Sequence, residues 1–119
     1  MLRWIKGRFQ SFGYALKGIQ GIVTSGPNMA IMLLAIAVVI GAGIYFQIDK
    51  YDWALVAIAF TIVLVAEAFN TAIERLTDLV HPHHHPKAGH IKDLAAGAVL
   101  LAVLCSLVIA WVVFGKYLR

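Results

Sequence analysis

Apolar residues recur along the first 24 positions at alternating steps of three and four: Leu2, Ile5, Phe9, Phe12, Leu16, Ile19 and Val23. On a helix they form one stripe, and Arg3, Lys6, Arg8, Gln10, Lys17 and Gln20 supply the polar remainder. The pattern predicts an amphipathic helix over residues 1–24 that lies in the membrane interface with its basic groups toward lipid phosphates. The compact apolar block and cleavage site of a secretory signal are not seen in it. Thr24, Ser25, Gly26 and Pro27 then break the helix. Beyond them the stripe widens into nearly continuous apolar runs, which predict three membrane-spanning helices over 28–46, 53–80 and 92–117. Between the first two, Gln47 to Asp52 reads as a turn, with Tyr51 and Trp53 suited to an aromatic belt. Residues 81–91, with Pro82 and Pro86, read as a loop. Asp93 would fall in the first turn of the last helix and Lys116 near its end, as the helix dipole favours. The fold class predicted is all-α and integral to the membrane, a single domain with one surface helix and three transmembrane helices.

The second of these helices carries an anomaly. Glu67, Asn70, Glu74 and Asp78 follow one another at steps of three, four and four. At about 100° per residue they share an arc of roughly 80° on one face. With a rise of about 1.5 Å per residue, Glu67 lies roughly 21 Å, and Glu74 roughly 32 Å, along a helix that starts at Trp53. Against a hydrocarbon core of about 30 Å, Glu67 is inside and Glu74 at the interface. A carboxylate near the bilayer centre costs about 2.5–3.5 kcal/mol on insertion scales, so such an acid is a functional candidate. The four side chains suit metal coordination plus a base. Hard oxygen ligands fit Mg²⁺, which takes one or two carboxylates and fills its shell with phosphates. The competing reading is an ion path or a structural polar seam; a path through the membrane is disfavoured, because no acid lies in the other half of that helix.

Composition agrees with a membrane protein. Of 119 residues 61% are hydrophobic and 13% charged, against about 25% charged in soluble domains. A chain this short encloses little space alone, which points to an oligomer. The net charge of +4 fits anionic lipid or a nucleoside phosphate and is too small to argue for nucleic acid. The single cysteine, Cys105, can form no intramolecular disulfide and reads as a small buried hydrophobe. Arg3, Lys6, Arg8, Lys17, Arg75, Lys87 and Lys92 fall on one side of the membrane and Lys50, Lys116 and Arg119 on the other. The positive-inside rule then puts the N-terminus, Glu74, Asp78 and the 81–91 loop in the cytoplasm and the C-terminus outside.

Three further features stand beside the ladder. Lys92 could touch phosphates and Asp93 could hold metal or an adenine amine, or the pair could be a positive-inside lysine and a helix-start acid. His81, His83, His84, His85 and His90 match no closed zinc pattern and read as a solvated loop. Ala95, Ala96, Gly97 and Ala98 give the last helix a smooth face for close helix approach.

Taken together, these blocks resemble a known family. Glu67-Ala-Phe-Asn70-Thr71-Ala72-Ile73-Glu74, with Asp78, resembles the signature of the prokaryotic diacylglycerol kinase and undecaprenol kinase family. Lys92-Asp93-Leu-Ala-Ala-Gly-Ala-Val99 resembles its second block, and Ser11-Phe12-Gly13-Tyr14-Ala15-Leu16-Lys17-Gly18-Ile19 its surface-helix block. The resemblance implies a homotrimer with active sites shared between subunits, transferring the γ-phosphate of ATP to a lipid hydroxyl. It implies Glu67 as general base, Glu74 as ligand of Mg²⁺, and Asn70, Asn28 and Lys92 at the substrate and phosphates. Glu74, Asp78, Lys92 and Asp93 would face the nucleotide. The wording of the motifs is slightly closer to the undecaprenol kinase branch, with diacylglycerol open as acceptor. The chain departs from the pattern before the first spanning helix, where Gly26 stands at the position of a second metal glutamate, Ala30 at a basic one and Met32 at a polar one. A member that binds lipid or nucleotide without turnover is the alternative this departure raises.

Overall fold

The computed structural model describes residues 1–118; the side chains of residues 2–6, and so the stripe positions Leu2 and Ile5 and the basic positions Arg3 and Lys6, lie outside the described residues, as does Arg119. Four helices follow in order: α1 Leu2–Val23, α2 Pro27–Tyr45, α3 Lys50–Val80 and α4 Pro86–Phe114. There is no strand among the described residues. α2, α3 and α4 are each long and apolar enough to cross a membrane. The chain divides into two compact units, Met1–Leu34 and Ala35–Arg119.

In the first unit α1 stops where its last carbonyls are taken up locally. The Thr24 amide and hydroxyl both donate to the Gln20 carbonyl, at 3.1 and 2.9 Å, and Ser25 N–H reaches Ile22 at 3.0 Å. Gly26 follows with φ of 150°, a conformation open to glycine and strained for other residues, and Pro27 is pre-set to start α2. The stripe residues Phe9, Phe12, Leu16 and Ile19 are exposed on α1.

The second unit is built on the antiparallel pair α3 and α4. α3 begins at Lys50, three residues before the expected Trp53, because Asp49 caps it. The Asp49 carboxylate accepts from Tyr51 N–H at 2.7 Å and Asp52 N–H at 3.0 Å, two amides a helix start would leave unpaired. α4 begins at Pro86, six residues before the expected Lys92. His85 is its N-cap and Nδ1 accepts Lys87 N–H at 3.2 Å, while Pro86 supplies the first helical residue. The expected 81–91 loop therefore shrinks to the turn between Val80 and Pro86, and Asp93 sits in the second turn of α4. α4 closes at Phe114, short of residue 117, where Gly115 N–H donates to Trp111 at 2.9 Å.

Burial defines the seam between them. On α3, Asp52, Val56, Ala59, Asn70 and Thr77 are buried, with Val63, Ala66 and Ile73 half-buried in register. On α4 the matching row is Ala88, Lys92, Ala95, Val99, Ala102, Ser106, Ile109 and Val113. Both rows advance by four and three, the spacing of coiled-coil seams. Ala88, Ala95 and Ala102, seven residues apart on α4, let the helices approach closely. Cys105 is off this row and exposed, which corrects the expectation of a buried thiol.

One end of the pair is locked by charge and aromatics. Asp52, at 6% exposure, ion-pairs with Lys116, whose Nζ also lies 3.6 Å from Asp49. Ile48, Val56 and Val113 form the apolar core there, with Phe46 stacked on Tyr117 at 5.6 Å between ring centroids. Gly43 is buried against the Trp53 ring, where a Cβ would stand 2.8 Å from Cη2. Between Asp52 and Glu67 the seam is lined by Val56, Ala59, Val63 and Ala66, so the acid at this end, which the sequence placed outside the helix, is not joined to the ladder by polar groups.

Two outcomes are expected. Gly43→Ala should destabilise the protein by about 1–3 kcal/mol, the range for overpacking, read as a lower midpoint of thermal unfolding in detergent. The charged lock sets a pH window. Amides of Asp52 and Tyr51 hold the Asp49 carboxyl below its ordinary value of 3.8, so its contribution is present above that value and lost as pH falls through the lowered one. The bond to Asp52 pushes the Lys116 ammonium above 10.5, so its contribution is present below that value and lost as pH rises past the raised one. The lock's contribution should therefore be full between these limits; Lys116→Met, which leaves Asp52 buried without its partner, should lower the melting temperature within the window and abolish the alkaline fall.

Candidate functional site

The ladder is carried by the half of α3 remote from the Asp52 lock. Glu67 and Asn70 are buried, at 7% and 8% exposure, whereas Glu74 and Asp78 are exposed. Burial thus changes along a single helix face within eleven residues. The register explains where Glu67 lies. Val103 is as far beyond Lys92 as Glu67 is before Asp78, and Leu101 as far before Lys116 as Glu67 is beyond Asp52. The two counts bracket buried Ala102, the smallest kind of seam residue, which leaves room for a carboxylate between two helices.

Asn70 links the buried and exposed halves. Its Nδ2 donates to Glu74 Oε1 at 3.1 Å, while its Oδ1 is buried and has no partner among the described residues. A buried acceptor left unsatisfied costs about 1–3 kcal/mol, so the amide is held ready for a donor that the chain itself does not supply. Thr77, which the sequence pattern did not single out, is buried two turns beyond Asn70 and its Oγ1 donates to the Ile73 carbonyl at 2.7 Å. Its burial follows from the seam spacing, which was the signal available in the sequence.

At the exposed end, Lys92 Nζ donates to Asp78 Oδ1, the one contact between acidic and basic side chains of the ladder region among the described residues. Lys92 is half-buried in the seam and Asp93 is exposed beside it. A polar pocket of about 240 Å³ opens at this pair, reached also by Thr77, His83, His84 and Gly89. Of the candidates, Asn70 with Glu74 and Asp78 with Lys92 are brought into contact. Asn28 stands in the first turn of α2 in the other unit, as does Gly26 ahead of it. Among the described residues no three His, Cys, Asp or Glu side chains converge as a metal cage. The histidines instead shape the turn: His81 ends α3, His85 caps α4, and their rings stack at 4.9 Å.

An all-helical membrane chain with buried carboxylate and amide on one face, running out to an exposed acid and lysine, belongs to the class of membrane-embedded phosphotransferases once its relatives are considered. Residues 13–114 match the model of the prokaryotic diacylglycerol kinase family. Undecaprenol kinase of Bacillus subtilis is 31% identical over 106 residues, covering 89% of this chain and 86% of that one. Diacylglycerol kinase of Synechocystis is 33% identical over 100 residues, with 83% of this chain and 57% of that one covered. Diacylglycerol kinase of Escherichia coli K12 is 25% identical over 99 residues, 83% and 80% covered. The chain belongs to the prokaryotic diacylglycerol kinase family and is a lipid kinase.

The Asp78–Lys92 pair is too solvated to be a fold determinant: the side chains are 62% and 36% exposed, and such pairs contribute about 0–1 kcal/mol. Lys92→Met should therefore leave the thermal midpoint nearly unchanged in a calorimetric scan; a loss comparable to Gly43→Ala would show that the pair holds the helices together.

Proposed function

We propose that this chain transfers the γ-phosphate of ATP to the hydroxyl of a membrane lipid, undecaprenol or diacylglycerol, in the bacterial cytoplasmic membrane, working as a homotrimer with shared sites. The observation that carries this reading is the graded burial of the ladder. The acceptor is lipid-soluble and the donor water-soluble, and one helix face offers a buried carboxylate at one end and exposed charged groups at the other. The positive-inside count supports a cytoplasmic position for the N-terminus and the α3–α4 turn, with the C-terminus outside. α1, with its stripe and basic residues, would lie in the interface.

Phosphoryl transfer asks the protein mainly for positioning and charge neutralisation. In this reading the lipid hydroxyl lies against Glu67, which accepts its proton as the oxygen attacks the γ-phosphorus. The bond from that phosphorus to the β–γ bridging oxygen breaks, and ADP leaves with the electron pair. Asn70 presents its free Oδ1 to a bound water. Lys92 neutralises phosphate charge, with Asp78 orienting it, and Asp93 faces the nucleotide. Asn28 enters as a phosphate contact through the family motif alone.

The residues also fit Mg²⁺. Glu74 is exposed, one oxygen is engaged by Asn70 and the other is open to a cation. A Mg²⁺ ion needs only one or two carboxylates when phosphates complete its shell. Bound at Glu74, it would supply charge neutralisation on the phosphates. Gly26 at the position of a second glutamate leaves Glu74 as the protein's carboxylate in this arrangement. A binder without turnover gains no support: the ladder is intact, and the relatives are kinases.

Transfer of labelled γ-phosphate in mixed micelles, with undecaprenol and diacylglycerol offered in parallel, tests the reading. Glu67→Gln should lower kcat by about 10²–10⁴, the usual worth of a general base, in a protein that melts like wild type. Turnover unchanged in that variant would remove Glu67 as base. Lys92→Met should raise the KM for ATP tenfold or more, a loss of about 1.4 kcal/mol in binding, without altering the KM for lipid.

A further inference from the structure

The turn between α3 and α4 has two faces, and the kinase reading uses one. Behind the polar pocket at Asp78 and Lys92 lies a groove of about 520 Å³, within the range of about 300–1,000 Å³ that holds small ligands. Its floor is Ile73, Leu76, Val80 and Ile91, and Lys87 stands on its rim. Thr77, His81, His85 and Ala88 line both cavities, so the stacked imidazoles and the seam form a partition between them. Around α3, Leu76 lies about 180° from Glu67, at about 100° per residue. A molecule in the groove is therefore on the face opposite the acceptor site.

The rim selects charge. No acid lines the groove, and Lys87 has no ion-pair partner among the described residues, Lys92 being the lysine that Asp78 engages. His85 accepts the Lys87 amide at Nδ1, so its neutral form carries the proton on Nε2 and offers it outward as a donor. The positive end of the 29-residue α4 points the same way. Apolar floor, cationic rim and a position where α3 leaves the hydrocarbon are complementary to one class of occupant: a lipid with an acyl chain and a negatively charged headgroup. A zwitterionic headgroup would bring its own cation against Lys87.

We propose that this groove binds an anionic phospholipid that is not the phosphoryl acceptor, its chain against Ile73, Leu76, Val80 and Ile91 and its phosphate at Lys87. The site lies across the partition from the nucleotide groups, so its occupancy would brace the turn that carries them.

The test needs no ATP, so its failure leaves the kinase reading untouched. Full-length protein in detergent is mixed with phosphatidylglycerol or phosphatidylcholine of the same chains, and bound lipid is counted by native mass spectrometry. Phosphatidylglycerol should be retained at least tenfold more than phosphatidylcholine. Lys87→Gln, an exposed position that should fold normally, should reduce that preference fivefold or more. Ile91→Trp, which fills the groove, should abolish retention, and Leu76→Gln should weaken it if the tryptophan variant fails to fold. Soluble glycerol phosphate should not compete. Equal retention of the two lipids, or an unchanged preference in Lys87→Gln, would overturn the proposal. So would full competition by glycerol phosphate, or an Ile91→Trp variant that keeps its lipid and loses its oligomer, which would make a second copy the occupant.

Discussion

The close approach of α3 and α4 is the constraint on which the site depends. In hydrocarbon, apolar side chains gain nothing from one another that lipid tails would not give, so helices associate through tight packing and polar contacts. α4 meets this by placing Ala88, Ala95 and Ala102 seven residues apart on its seam. Small side chains here do more than permit contact. They leave the space into which α3 projects Glu67 and Asn70, larger and polar, at 7% and 8% exposure. A seam of leucines would have expelled both toward lipid, where an ionised carboxylate is least tolerable. The alanine row and the buried Glu67 and Asn70 are two halves of one packing solution.

Ion pairs stand at the two ends of the seam, and they differ in kind. Asp52 is buried and bound by Lys116, with Asp49 beside it, and there the pairing is backed by Phe46, Phe114 and Tyr117. Asp78 and Lys92 are solvated. The buried end resists opening, since a lone buried charge is costly, and the solvated end can exchange its partner for a phosphate at little expense. With the nucleotide site proposed at Asp78 and Lys92, a stiff end remote from it and a labile one beside it would suit the entry and release of a nucleotide.

Much of this was legible in the sequence because it rests on local pattern. Three spans follow from apolar length, and the ladder from helical spacing against an apolar background. The element boundaries were not legible, because they rest on capping. Asp49 and His85 start α3 and α4 earlier than hydropathy suggests, and nothing in the apolar pattern distinguishes a capping aspartate from a turn aspartate. The burial of Asp52 was likewise hidden, since it depends on Lys116 at the far end of the chain. Asp52 also shows why the argument against a through-path needed the fold: an acid does sit at that end of α3, and what breaks the path is the apolar stretch from Val56 to Ala66.

Helix length then ties the fold to the chemistry. α3 has 31 residues and α4 29, or about 46 and 44 Å at 1.5 Å each, against a hydrocarbon core of about 30 Å. Helices that outrun the core must tilt or project. The Asp52–Lys116 lock, with the aromatics around it, favours an interfacial setting for one end, so the excess length falls mostly at the other, where α3 carries Glu74 and Asp78. Glu67 lies about 16 Å from Asp78 along the axis, a separation that in the proposed function would let Glu67 meet a lipid hydroxyl while Asp78 and Lys92 stay in water. A shorter pair of helices would draw the charged end down to the headgroups and bring nucleotide phosphates against lipid phosphates. The length that looks excessive for a membrane span would, in the proposed function, let one rigid face serve a water-soluble donor and a lipid acceptor together.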